Sequence, residues 1–342
     1  MAQSISNLVT AASARDFYNG TQKKNYLGAE LFPDTKQLGL EISFLQGRGG
    51  VPIQLQAGAF DANAPLRSPI AANNITADMP FFREGVNIKE KDRQQINTYL
   101  AAGQEGAVDI VLGNIFGDIA GLIQGGEVAK ERMRMQLLST GSINFTGTEE
   151  GVHVNYNYGL DNSQFETLVG TNVWSNAAAD PIGDIERWIT ATGAKRAITN
   201  GNTFGLLRRH PTVIDVVGAY FGGGRVSVNN VKDYFKQEYD LTIAVYDESF
   251  SPGPGQPAQK FFPDNVFTLL PDGPLGQTVH GTTPEESDLL NKISVADTAI
   301  VGAGTAITMI HKPHPVTTET YASLIAMPSF PEAGSVFIAT IA

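Results

Sequence analysis

The chain contains no cysteine. This excludes disulfide staples, thiolate nucleophiles and cysteine metal sites, and it suits a reducing cytoplasm without requiring one. Residues Met1 to Ser6 have neither the basic start nor the apolar run of a secretory signal. No stretch of about twenty uninterrupted apolar residues occurs, and Asp109, Asn114 and Asp118 break the most apolar segment, so the expectation is a soluble protein with no membrane partner. Positive charge is scarce as well. Lys and Arg total 24 against 35 Asp and Glu, a formal net charge of −11, which disfavours tight binding to nucleic acid. Also absent are the Gly-x-x-x-x-Gly-Lys phosphate loop, the Gly-x-Ser-x-Gly elbow and the His-Glu-x-x-His zinc helix.

What is present is enough material for two domains or one elaborate one: 342 residues, 42% of them hydrophobic, with 36 glycines and 18 prolines that imply many turns and a strand-rich or mixed fold. The organising stretch runs from Gly103 to Gly141. Val108, Val111, Leu112, Ile115, Phe116, Ile119, Leu122 and Ile123 recur at intervals of three and four, one apolar helical face. The pattern continues more weakly through Ala129, Met133 and Leu137. A helix over all of this reaches roughly 50 Å, a strut rather than an ordinary domain helix. A second stripe, Gly113, Gly117, Gly121 and Gly125, costs roughly 3–4 kcal/mol against alanine. Its spacing predicts close backbone packing.

Residues 1–37 carry scattered anchors (Leu8, Phe17, Tyr26, Leu31, Phe32) and read as an arm lying across another surface. Leu38, Leu40, Ile42 and Phe44 alternate as a half-buried strand, as do Val51, Ile53 and Leu55. After a polar excursion Phe81 to Ile88 returns, so residues 46–90 read as a long two-stranded loop needing a neighbour. Beyond the spine, Ile143 and Phe145, then Val152, Val154, Tyr156 and Tyr158, make the clearest hairpin. Short helices and strands follow. Asp180-Pro181 caps a helix with Ile182, Ile185, Trp188 and Ile189 on one face and Gly193 at its exit. Strands are expected at Ala197 to Thr199, Leu241 to Tyr246 and Val266 to Leu270, with helical turns broken at His210-Pro211 and one turn from Val231 to Phe235. Residues 249–259 read as a loop, and Thr283 with Glu286 as a capping box ahead of Leu289, Leu290 and Ile293. Ala299 to Ile310, Ser323 to Met327 and Val336 to Ile341 read as strands that return to the hairpin after the spine.

Candidate chemistry is thin. His311 and His314 flank prolines with no third ligand in view, Glu149-Glu150 fits a solvated turn better than paired catalytic carboxylates, and Lys195-Arg196 and Arg208-Arg209 are ordinary basic steps. Gly302-Ala-Gly304 lacks the third glycine and helix of a dinucleotide fingerprint. No catalytic, cofactor-binding or metal-binding residue is named, and no cofactor is expected.

The order of arm, extended hairpin, spine helix, β-hairpin, compact α/β insert and returning strands resembles the tailed-phage major capsid proteins, and more narrowly the phage lambda E-type family with the HK-97-type capsid fold. Carrying the likeness are Ser142-Ile-Asn-Phe-Thr-Gly147 at the end of the spine, Asp184-Ile-Glu-Arg-Trp188 after an Asp-Pro step, Phe262-Pro-Asp-Asn265, and Val316-Thr-Thr318 ahead of Leu-Ile-Ala-Met-Pro. The resemblance spans essentially the whole chain. It implies an α+β fold with 1–44 as N-terminal arm, 45–93 as extended loop, 94–160 and 310–342 as peripheral domain with the spine helix, and 161–309 as axial domain, with 249–260 as candidate tip loop. It also implies a non-enzymatic structural protein that assembles with itself into pentamers and hexamers of an icosahedral head enclosing double-stranded DNA. Implied partners are a scaffolding protein, protease or portal, a decoration protein, and weak non-specific contact with packaged DNA. No scaffolding segment of about a hundred residues precedes the arm, so a separate scaffold is expected. The expected location is the virion, after assembly in the host cytoplasm. Two alternatives remain at this point: an encapsulin-like compartment shell and, in another class, a soluble hydrolase or binding domain.

Overall fold

The computed structural model describes residues 8–46, 73–88, 90–146, 153–293, 296–314 and 316–342. The chain forms two compact units, each assembled from three separate segments.

The first unit comprises Met1–Ile42, Ala77–Arg134 and Gln277–Ser329. Its organiser is the strand Val316–Pro328, polar at its start and apolar towards its end, with every residue from Ala322 to Pro328 buried. This strand pairs antiparallel along one side with Thr305–Pro313, from Ala306 opposite Ser323 to Pro313 opposite Val316. Its other side is shared by Phe81–Ile88 and Thr278–His280, both antiparallel. Asp297–Val301 extends the sheet beyond Thr305–Pro313, and Asp34–Lys36 adds a short parallel edge to Thr278–His280. The segment read as a single strand, Ala299 to Ile310, is thus a hairpin. It turns at Gly302 and Gly304, whose φ values of 58° and 159° suit glycine.

The arm folds against this unit's own core. Thr10 caps the helix Ala11–Gly20 by accepting from the Ser13 amide at 3.1 Å, and the Ala11 amide donates to Asp297 Oδ2 at 2.7 Å. Val9, Ala11, Ala14 and Tyr18 bury themselves with Ile115, Ile119 and Ile123 of the spine and with Ala299, Val301, Ile307 and Met309 of the sheet. Leu38 and Leu40, read as the start of a buried strand, lie exposed ahead of the strand Glu41–Gln46. That strand pairs with Asn73–Asp78, not with Phe81–Ile88, which belongs to the six-stranded sheet. The expected strand Val51 to Leu55 lies outside the described residues.

The spine is a single helix, Glu105–Thr140, of 36 residues and about 54 Å. Another helix, Glu90–Ala101, precedes it; Ile96 is its only fully buried residue, so no apolar stripe announced it. By length and composition alone the spine is long and apolar enough to cross a membrane. Buried charges towards its end, described below, give it a different role. Among the described residues the expected close packing at its glycines is absent. A Cβ at Gly113, Gly117, Gly121 or Gly125 would meet no heavy atom within 4 Å, and only Gly126 has a neighbour, Leu324 Cδ2 at 3.4 Å. The helix runs unbroken through Gly125-Gly126.

The second unit comprises Ser43–Thr76, Met135–Gly276 and Phe330–Ala342. Its five-stranded sheet has the order Phe165–Thr167, Phe337–Thr340, Val266–Leu270, Arg196–Thr199 and Thr242–Val245. The outer pairs are parallel and the inner ones antiparallel. Helices Pro181–Thr192, Gly201–Arg209, Pro211–Tyr220 and Val228–Tyr239 pack with it in one core that includes Trp174, Trp188, Phe267 and Phe337. Asp180 caps the first of these helices, accepting from the Gly183 amide at 3.1 Å, and Gly193 ends it at φ 67°. The turn expected from Val231 to Phe235 is part of a three-turn helix, and the loop read over 249–259 contains a two-residue strand pairing of Ser249–Phe250 with Gln259–Lys260. The hairpin Ser142–Thr146 with His153–Asn157 stands as its own sheet. The C-terminal strands therefore do not return to it. Phe337–Thr340 instead completes the five-stranded sheet, and Val316–Pro328 the six-stranded one.

Candidate functional site

Within the first unit the second half of the spine carries Glu127, Lys130, Glu131 and Arg134, whose spacing of three and four places them on one helical face. Lys130 and Arg134 are each 1% exposed, and Glu131 is fully buried. Such charges persist in a low-dielectric setting only when paired, and here they are. Lys130 Nζ lies 2.9 Å from Glu127 Oε2, and Arg134 Nη1 lies 3.6 Å from Glu131 Oε2. Both cations also reach Asp34 of the arm: Lys130 Nζ donates to Oδ2 at 2.8 Å and Arg134 Nη2 to Oδ1 at 2.7 Å. Arg134 Nε donates to Thr278 Oγ1 at 2.8 Å, and that hydroxyl donates onward to the Phe32 carbonyl at 3.0 Å. The Gly28 amide donates to Glu131 Oε1 at 3.1 Å.

Gly28 is glycine for a steric reason. A Cβ there would stand 2.4 Å from Glu131 Oε2 and 2.8 Å from Arg134 Cδ. His280 Nε2 lies 3.3 Å from Asp34 Oδ1. Burial pushes the Asp34 pKa up, but His280 and the charge and hydrogen bond of Lys130 pull it down further, leaving it well below the usual carboxylate range. Next along the arm, Lys36 Nζ donates to the Gly281 carbonyl at 2.8 Å and pairs with Glu286.

In the second unit the tryptophan pair is tied to acids. Trp174 and Trp188 stack with centroids 5.9 Å apart, Trp188 Nε1 donates to Glu166 Oε2 at 2.7 Å, and Trp174 Nε1 to Asp184 Oδ2 at 3.1 Å. Arg187 closes the group with two bonds of 2.8 Å to Glu166, and these hold the Glu166 pKa down. The same unit exposes Ile214, Val216, Tyr220, Phe221 and Val228. None of these groupings places a nucleophile beside a base.

The residues singled out for chemistry scatter. His311 sits in the strand Thr305–Pro313, not in a loop, with its Nδ1 2.9 Å from Thr318 Oγ1; His314 is exposed at the turn that follows. Lys195 pairs with Asp240 at 3.0 Å, and Arg196 donates from Nε to the Pro271 carbonyl at 2.9 Å. Arg208 reaches the Val226 carbonyl at 3.5 Å. Glu149-Glu150 lies outside the described residues. Among the described residues no group of three or more His, Asp or Glu side chains converges as a metal site. The charge cluster on the spine went unread in the sequence, although the run of Glu127, Lys130, Glu131 and Arg134 after an apolar helical face was its signal.

A family model described as phage major capsid protein E matches residues 16–341. Among solved structures, the chain is similar to a protein described as the capsid protein of a prophage in Escherichia coli CFT073, at 12% identity and a TM-score of 0.62, over 98% of this chain and 99% of that one. It is also similar to a phage-related protein from Bordetella bronchiseptica RB50, at 12% identity and a TM-score of 0.52, over 97% and 96% of the two chains. No curated protein matches the chain.

Proposed function

Because the chain belongs to the phage major capsid protein E family, a structural component of a capsid shell with the HK-97-type α+β fold, we propose that it closes into pentamers and hexamers of an icosahedral head around double-stranded DNA. The carrying observation is the extent of the family match, residues 16–341, which includes most of all three segments of each compact unit. The shell is a multi-subunit assembly and the place of the protein is the virion. Assembly in the host cytoplasm with a separate scaffold, a portal and a decoration protein accords with the family, and so does the lack of a catalytic task. In this reading residues 1–44 act as arm, 45–93 as extended loop and 94–160 with the spine helix as peripheral domain; the strands from Thr278–His280 to Val316–Pro328 join the peripheral domain, and Phe337–Thr340 joins the sheet of the axial domain that begins at 161.

The exposed apolar residues Ile214, Val216, Tyr220 and Phe221 supply surface that subunit contacts bury, and many modest contacts sum to a stable shell. A net charge of −11 keeps contact with packaged DNA weak. Native mass spectrometry of the full chain co-expressed with its candidate scaffold tests the reading. Species of five and six subunits of 36.6 kDa each are expected; dimers or trimers as the only oligomers contradict it.

A further inference from the structure

The charge cluster of the spine has a feature that a plain structural contact does not need. Its four helical members balance without the arm: Glu127 faces Lys130 at 2.9 Å and Glu131 faces Arg134 at 3.6 Å, two carboxylates against two cations. Asp34 is a fifth charge, and it bridges both cations at 2.8 and 2.7 Å. Removing a partner from a buried pair ordinarily leaves an uncompensated charge, at a cost of about 3–5 kcal/mol. Here the departure of Asp34 returns one carboxylate to water and leaves each cation with its own helical carboxylate. The remaining polar arm contacts at this place are local: His280 Nε2 at 3.3 Å from Asp34, the Gly28 amide on Glu131, the Phe32 carbonyl on Thr278, and a three-residue parallel strand pairing. The buried Leu31 and Phe32 keep the closed state dominant at rest. Just downstream, Lys36 is tied to Glu286 and to the Gly281 carbonyl, which limits how far an opening travels.

We propose that this cluster is a latch: it holds residues 27–34 of the arm on the subunit's own spine helix and opens without unfolding the strand Val316–Pro328. The latch accounts for an arm segment whose charged contact with the spine falls on cations already matched on the helix. It also accounts for glycine at 28, where any side chain would act as a wedge against Glu131 and Arg134.

Two charge-neutralising substitutions separate a latch from a merely structural cluster, because they act with opposite sign. Asp34→Asn removes the bridging charge and is expected to speed hydrogen exchange of residues 27–34 by about 10- to 100-fold. Glu127→Gln removes a partly exposed carboxylate that competes with Asp34 for Lys130 and repels it; exchange of the same residues is expected to slow by about 2- to 5-fold. Amides of Val316–Pro328 keep their rates in both variants. The measurement is hydrogen exchange read by mass spectrometry on the purified, unassembled full chain. Faster exchange in both variants, no change in either, or acceleration that extends to Val316–Pro328 in the Asp34→Asn variant overturns the proposal.

Discussion

Asp34 and Glu166 do comparable work in different units: each is a carboxylate held ionised by neighbouring cations or hydrogen-bond donors, with its pKa lowered on folding. A group whose folded pKa is depressed contributes stability above its unfolded value of about 4, and that contribution is lost as the pH falls through the folded value. For Asp34 the acceleration of hydrogen exchange at residues 27–34 by Asp34→Asn is therefore expected to be full at neutral pH and to shrink steadily as the pH falls from about 5 towards 2. Exchange of variant and parent compared at each pH checks this; a ratio that stays constant over that range contradicts it. Both tryptophans of the chain lie in the core of the second unit, so tryptophan fluorescence reports that unit alone. Trp188 is 1% exposed and packs on Trp174, Phe267 and Phe337. Its replacement by alanine should cost about 3–5 kcal/mol, read as a lowered denaturant midpoint in the fluorescence of the remaining Trp174.

At the scale of elements, the spine helix is stable in spite of its glycines. Gly117 and Gly121 are exposed, and a Cβ on either meets nothing within 4 Å, so alanine at each should stabilise the isolated subunit by about 0.5–1 kcal/mol. A fall in thermal midpoint for either variant contradicts that. The spine was legible because Val108, Ile115, Ile119 and Ile123 repeat at helical spacing and are the residues that become buried. The caps at Asp180 and Thr283 were legible for the same local reason, a side chain bonding within its own first turn. Partners were not legible. Phe81–Ile88 was recognisable as a strand, but its pairing with Val316–Pro328 joins segments more than two hundred residues apart, and nothing in either alternation specifies the other. Leu38 and Leu40 misled because apolar residues on an exposed surface can alternate like a half-buried strand. The cluster of Asp34 with Lys130 and Arg134 was hidden because its acid is about a hundred residues from its bases, and charge patterns on one helix do not disclose a distant partner.

At the scale of the whole molecule, the interleaved segments have a consequence for assembly. Each compact unit is assembled from three separate segments of the chain, so neither is removed by a simple truncation. The family and fold assign that subunit to a capsid shell. Closure into a shell of pentamers and hexamers is visible by electron microscopy of the purified full chain, alone and co-expressed with its candidate scaffold: capsomers, tubes or closed shells are expected, and a monodisperse monomer under every condition, scaffold included, rules shell formation out.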